Sequence, residues 1–398
     1  MLPSNSSAPV PNRRRIVHVI DSLGIGGGAE QQLVANLRLF SAPRLEHTLV
    51  CLYRDPHETR ETDLPAGVAV HYLYDREPGS RLATVARLDR LLVALEPSLI
   101  HCTLPQSALA ARFSGRRLGV PVIESLVNIS HEPIRLVDNP NIVPWKLWAH
   151  RLLDRATMRW VLVFHALSRE VARSWSELAG VPLQKIRVIP RGVDLTRFDQ
   201  DPREARSSLG DDLEIRAEQF VVVSIGRHEP QKGQLYLIEA MPVLLKSLPE
   251  AVLVLAGQPG SLTDRFRKRI SDLNIGDSVR LLGRRRDVPT LLRAADAFVF
   301  PSLFEGLGVS LLEAMAAGLP TVSTDRAPMN EIVSNEIDGL LVPERNSQRL
   351  ANALIRLAGD PGLRARLGSA ARSRVEEGFN IERSARAIEA LYLEVLNL

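Results

Sequence analysis

At 398 residues and 45% hydrophobic, the chain exceeds one ordinary core and carries enough apolar surface for two. Its formal charge of +4 is small for this length, and 45 of its 50 cations are arginine, which grips phosphate in a bidentate way, so anionic partners are favoured and nucleic acid is not. Cys51 and Cys102 both sit in apolar strand-like runs, which argues against a disulfide framework or a thiolate metal site and fits a reducing cytoplasm.

In chain order, residues 1–14 read as a flexible tail, and the apolar run after them, 16–20, is a strand and too short for a signal peptide. No stretch approaches the ~20 apolar residues of a membrane-spanning helix. β-Branched runs near 15–20, 46–52, 98–102, 121–125 and 161–167 alternate with amphipathic stretches, which predicts a parallel α/β sheet. The periodicity breaks at IPRGVDLTRFDQDP (189–202), as in a linker. It restarts with FVVVSIG (220–226), VLVLAG (252–257), VRLLG (279–283), AFVFP (297–301) and PTVST (320–324), five buried strands of a second doubly wound sheet. The domains expected are 15–190 and 191–375, with 376–398 a C-terminal helix. Two such domains facing each other hold a ligand in the cleft beyond their strand ends.

The chemistry-bearing residues follow strands. After AFVFP comes EGLGVSLLEAMAAG (305–318), in which a helix begins near Gly308 and stops at Gly318. Gly306 and Gly308, with Leu307 and Val309 beside them, present bare backbone N–H groups and a helix dipole to a phosphate. Glu313 lies ~7 to 8 Å further along the axis, a spacing that suits a ligand with a diphosphate in its middle. In an otherwise apolar helix its carboxylate needs partners, and a ribose diol would serve. The alternative makes Glu305 a helix-start acid and Glu313 a salt-bridged core residue. After FVVVSIG, the segment GRHEPQKG (226–233) offers Arg227 and Lys232 to clasp a diphosphate and stabilise its charge as it leaves, unless both are cations of a solvated turn. In DSLGIGGGAEQQ (21–32), Gly26, Gly27 and Gly28 offer backbone donors from the other domain. Gly24, Gly26 and Ala29 also fit a loose dinucleotide spacing, which keeps an NAD-dependent oxidoreductase as an alternative, although the acid expected ~20 residues on is not clearly present.

Together these segments, with KIRVIPRGVD (185–194), VRLLG and DGLLVP (338–343), resemble the retaining glycosyltransferases of family 4 over nearly the whole chain. The resemblance implies the GT-B architecture, two facing Rossmann-like domains with an interdomain cleft, and the C-terminal helix packing back on the first domain. It implies a nucleotide-sugar donor, a glycan or lipid-linked acceptor, retention of anomeric configuration and no cofactor or metal. Glu305 would contact the donor sugar, Glu313 the ribose, Arg227 and Lys232 the diphosphate, and the backbone after Glu305 the sugar and phosphates. The sole Asp-x-Asp, Asp199 and Asp201, lies in the linker and reads as solvated charge.

Three departures stand out. Many similar sequences carry His-x-His near the acceptor where this one has His101-Cys102-Thr103, so His101 and Thr103 are acceptor-side candidates, with a His101 hydrogen-bonded within the fold as the alternative. Loss of that histidine leaves a non-catalytic sugar-nucleotide-binding subunit as a further alternative. Arg191 replaces a common Asn, and the segment before Glu331 lacks the usual glycine-rich loop, with Glu331 a further donor-site candidate. Lastly, WKLWAHRLLDRATMRW (145–160) sets Arg151, Arg155 and Arg159 beside Trp145, Trp148, Leu152 and Ala156. Such a helix either packs on the first domain with a solvated basic stripe or lies on the anionic inner face of a membrane.

Overall fold

The computed structural model describes residues 13–24, 28–55, 63–77, 79–136 and 143–398. The first half forms β1 (Arg14–Ile20), β2 (Leu45–Tyr53), β3 (Ala69–Tyr74), β4 (Leu99–Thr103), β5 (Val122–Leu126), β6 (Val163–Ala166) and β7 (Ile186–Val188). Its helices are α1 (Gly28–Leu39), α2 (Arg81–Leu95), α3 (Pro105–Leu118), α4 (Pro144–Thr157) and α5 (Arg169–Ala179), followed by α6 (Pro202–Leu213) beyond the linker. The second half forms β8 (Val221–Ile225), β9 (Val252–Ala256), β10 (Val279–Leu281), β11 (Ala297–Phe300), β12 (Thr321–Thr324) and β13 (Leu340–Val342). Its helices are α7 (Gln234–Ser247), α8 (Thr263–Asp272), α9 (Val288–Arg293), α10 (Val309–Ala316), α11 (Met329–Ile332), α12 (Ser347–Gly359), α13 (Pro361–Gly378) and α14 (Ile381–Leu396).

The strands form two sheets, ordered β3-β2-β1-β4-β5-β6-β7 and β10-β9-β8-β11-β12-β13. Their neighbours all pair in parallel. Helices cover both faces, so central strands are apolar throughout: Ile16, Val17, Val19 and Ile20 of β1 are all buried. Strand order reverses between β1 and β4 and again between β8 and β11, which puts residues 21–24 and the 226–233 and 301–308 segments at the two switch points. The sequence reading missed β3, β7 and β13, and each is a sheet edge. Edge strands are short or half exposed; β3 buries only Leu73, and β7 and β13 have three residues each, too few to show a period.

The chain crosses between the sheets twice, and the crossings touch. Val193 N–H donates to Phe379 O at 2.8 Å, and Ile381 N–H donates to Val193 O at 3.2 Å. A Cβ on Gly192 would lie 2.2 Å from the Ile381 Cα, so only glycine fits. After the second crossing α14 packs on the first sheet, with Ile388, Leu391 and Tyr392 against Ile16, Leu45, Leu99 and Ile123. The Glu389 carboxylate accepts from Ser41 and Ala42 N–H, both at 2.7 Å.

A row of histidines lies under that helix. Tyr392 Oη is 2.5 Å from His101 Nδ1, His101 Nε2 is 2.8 Å from Ser125 Oγ, and Ser125 Oγ is 2.9 Å from His165 Nδ1. His165 Nε2–H donates to Ile189 O at 2.8 Å, and His18 and His47 pair at 3.0 Å. Burial first, then neighbouring rings, lowers His101 to about 3; burial lowers His165 and His47 to about 4. The rings stay neutral in the folded chain but take up protons below about pH 6.5 once unfolded, so stability falls as pH drops from about 6.5 toward 4. Denaturant unfolding should give a free energy lower by on the order of a few kcal/mol at pH 5 than at pH 7. Equal stability at the two pH values, or NMR protonation of His101 near pH 6, would contradict this.

Candidate active site

The second domain's site is built from two loops at neighbouring strand ends. Gly233, at φ +61°, lets the chain turn from the 226–232 loop into α7; a Cβ there would meet Pro301 O at 2.0 Å. Leu303 N–H donates to Gln231 O at 2.8 Å, joining this loop to the one after β11. The approach brings Lys232 Nζ to 2.6 Å from Glu305 Oε1, while Gln231 Nε2–H donates to Glu305 Oε2 at 3.2 Å and Phe304 O at 2.9 Å. Glu305 is only 7% exposed, so Lys232 supplies the charge its carboxylate needs. The expected separate roles of Lys232 and Glu305 therefore converge in one ion pair. Arg227 stands apart, exposed, with no side-chain partner among the described residues.

Gly308, at φ +97°, precedes α10, and no side chain caps that helix. Leu307 is buried in the core and Val309 opens the first turn, with Ser310 Oγ–H donating to Ile225 O at 3.0 Å to tie α10 to β8. Glu313, a little over one turn on, faces a cavity of about 480 Å³ whose walls include Gly28, Gln32, Arg197 and Val309. Burial pushes its carboxyl up from the usual range, with Arg197, 3.7 Å away, opposing that shift. Arg197 went unnoticed in the sequence because a charge in a linker reads as solvated. Gln231 went unnoticed because an amide in a loop carries no pattern.

The first domain closes over these loops. A Cβ on Gly306 would lie 1.9 Å from Val127 O, and Ser168 Oγ–H donates to Gly306 O at 2.8 Å. Gly306 thus answers to the other domain's backbone, and Gly308 to a left-handed conformation, demands that stand beside the expected one of leaving a ligand room. A Cβ on Gly28 would be 3.9 Å from Val309 Cγ2, which places the start of α1 beside the start of α10. Gly26 and Gly27 lie outside the described residues.

Other candidates find structural work. Both ring nitrogens of His101 are engaged within the fold, so it is a neutral, buried histidine and not a free cleft-facing base. Thr103, partly buried, lines a small cavity with His101, His165 and Arg191. Glu331 accepts from Arg169 N–H at 2.9 Å and Glu170 N–H at 2.7 Å, holding the start of α5 across the domains, a structural use that the sequence did not announce. Asp199 pairs with Arg372, and Asp201 caps α6 through Arg203 and Glu204 N–H. Among the described residues no group of three or more His, Cys, Asp or Glu side chains could hold a metal ion.

The chain matches the family described as Glycosyltransferase Family 4 over residues 26–197 and that described as Glycosyl transferases group 1 over residues 207–374. It is 29% identical over 320 residues to the UDP-Gal:alpha-D-GlcNAc-diphosphoundecaprenol alpha-1,3-galactosyltransferase of Escherichia coli, covering 79% of this chain and 80% of that protein. It is 27% identical to the lipopolysaccharide core biosynthesis mannosyltransferase LpsB of Rhizobium meliloti (strain 1021), covering 76% and 94%. Anabaena HepE, solved in complex with UDP and glucose, superposes with a TM-score of 0.81 at 23% identity, covering 94% of this chain and 98% of HepE. One family matches the first domain from α1 onward and the other the whole second sheet, in the order in which the chain builds its two Rossmann-like domains: the fold is GT-B, and the chain belongs to the family 4 glycosyltransferases.

Proposed function

We propose that this glycosyltransferase moves a sugar from a nucleotide-diphosphate donor to a glycan or lipid-linked acceptor with retention of anomeric configuration. The observation that carries the reading is the Lys232–Glu305 pair at one end of the α10 start, with Glu313 further along that helix. Glu313 accepts hydrogen bonds from the ribose diol, displacing Arg197, and Glu305 accepts from donor sugar hydroxyls while Lys232 fixes its carboxylate. As the glycosidic bond lengthens, positive charge grows on the sugar and negative charge on the departing diphosphate. Arg227, Lys232 and the bare N–H groups of α10 stabilise the latter without calling on a metal. The acceptor hydroxyl attacks the face the diphosphate leaves, and its proton passes to the departing phosphate oxygen.

The E. coli relative is named for a diphosphoundecaprenol-linked acceptor, which supports an acceptor of that class here. A cavity of about 330 Å³ opens on the first domain beside Val127, the residue against Gly306, and its lining includes Asn128, His131, Lys146 and Trp175. We assign the acceptor to it. Helix α4 forms one wall and turns an unusual face to solvent: Trp145 is 65% exposed and Trp148 63%, with Leu152 exposed beside them and Arg155 and Arg159 on the same segment. Among the described residues no helix is long and apolar enough to cross a membrane. That face therefore supports peripheral contact with an anionic bilayer, where a lipid-linked acceptor would be met.

In steady-state kinetics with the preferred donor, Glu313→Ala should raise the donor KM about 10- to 100-fold, and Glu305→Gln should lower kcat about 100-fold or more. Unchanged constants in both variants would remove the assigned roles, and tight donor binding with neither transfer nor hydrolysis would make the protein a binding subunit. In vesicle flotation, the chain should rise with phosphatidylglycerol vesicles and stay down with phosphatidylcholine, and Trp145→Ser with Trp148→Ser should abolish the binding. No flotation on anionic vesicles would end the membrane assignment.

A further inference from the structure

Arg191 stands where the chain leaves the first sheet, immediately before Gly192. Its side chain reaches into the cleft: Nη1 comes to 2.8 Å from the point where a Cβ on Gly28 would sit, the same point that is 3.9 Å from Val309 Cγ2. The guanidinium thus lies where the first turn of α1 meets the first turn of α10. Gly28 and Val309 both line the Glu313 cavity, and Arg191 lines the smaller one with Thr103 and His165.

The other cations placed near this cleft are accounted for differently. Lys232 is neutralised by Glu305 and Arg197 is paired with Glu313, while Arg227 is exposed and keeps its hydration. Arg191 is partly buried and, among the described residues, has no hydrogen bond or ion pair. Burial brings its guanidinium down to about 10, with the charge of Glu30 opposing the shift. An arginine held so lowers the stability of the empty protein. Such a charge is kept where an anion arrives to meet it.

We propose that Arg191 is a diphosphate-binding residue, its guanidinium pairing with a diphosphate that enters between the starts of α1 and α10. The inference rests on the sugar-nucleotide reading above. Two sources share this chemistry, the nucleotide donor and a diphosphate-linked lipid acceptor, and continuity with the Glu313 cavity favours the donor. It gives Arg191, which replaces a common Asn, a use in this chain: five N–H donors in a planar fork that match adjacent phosphate oxygens.

Calorimetric titration of the full chain with UDP, GDP, ADP and farnesyl diphosphate, alongside ligand-free melting, tests it. Arg191→Gln should weaken the best-bound nucleoside diphosphate about tenfold or more while leaving Tm unchanged or higher, and Arg191→Lys should recover part of the affinity. Weakening confined to farnesyl diphosphate would support diphosphate binding and assign it to the acceptor. Unchanged affinity for every probe, with a lowered Tm, would overturn the proposal and leave Arg191 a structural residue. If the unsubstituted protein binds none of the three nucleoside diphosphates, the donor reading itself falls, whatever the variant does.

Discussion

The cleft exists in this form because backbone meets backbone across it. Val127 O lies where a side chain on Gly306 would be, and the Ile381 backbone lies where one on Gly192 would be. A methyl group at either place would force the domains or the crossings apart, since these neighbours are main chain and cannot rotate away. The contact also fixes direction: Ser168 both caps α5 and donates to Gly306 O, so one residue ends a local helix problem and sets a domain spacing. With Glu331 of α11 holding the same α5 start, a single helix N-terminus of the first domain grips a loop and a short helix of the second.

That spacing creates an electrostatic problem, and the choice of partners answers it. Two carboxylates, Glu305 buried and Glu313 partly so, each face a cation, but the two pairs differ. Lys232 meets Glu305 at 2.6 Å within its own domain, whereas Arg197 reaches Glu313 from the linker at 3.7 Å with part of its surface in solvent. The first pair is tight and fixes a geometry. The second is loose enough for a ligand with hydroxyl donors to replace it at small cost, because a half-exposed arginine recovers water when released. The roles proposed for the two carboxylates, one fixed at the reacting sugar and the other open to the nucleoside, call for that difference.

Most of this was legible in the sequence where a residue acts through its neighbours in the chain. The central strands, the α10 start, Gly318 and the carboxylate spacing all follow from local periodicity and turn chemistry, and the structure has them within a residue or two. Three of the four edge strands, β3, β7 and β13, were not legible, since half-exposed or very short runs lose the apolar signal that marks central ones. Nor were contacts made across the cleft: nothing around Arg197, Gln231 or Glu331 announces a partner more than a hundred residues away or on a facing loop. His101 could be read either way from the sequence. Its place at a strand end reads as a site, but Tyr392, 291 positions along the chain, takes its Nδ1.

The acceptor side resists sequence reading for a further physical reason. A nucleotide offers fixed features, a diol and a diphosphate, which demand particular carboxylates, cations and backbone at set spacings. A sugar acceptor offers hydroxyls that many side chains satisfy, so its site leaves no fixed signature. What the first domain shows instead is a network built to hold a wall: Arg112, fully buried, pairs with Glu124 and with Asp154 of α4, both at 2.6 Å, and Asp154 also lies 3.0 Å from His131. Removing one member would strand the others' charge out of water, so the network anchors α4 firmly from beneath. A helix held that way from its polar side can leave its tryptophans in solvent without unravelling, and the cavity that it walls off opens beside the loop that carries Glu305.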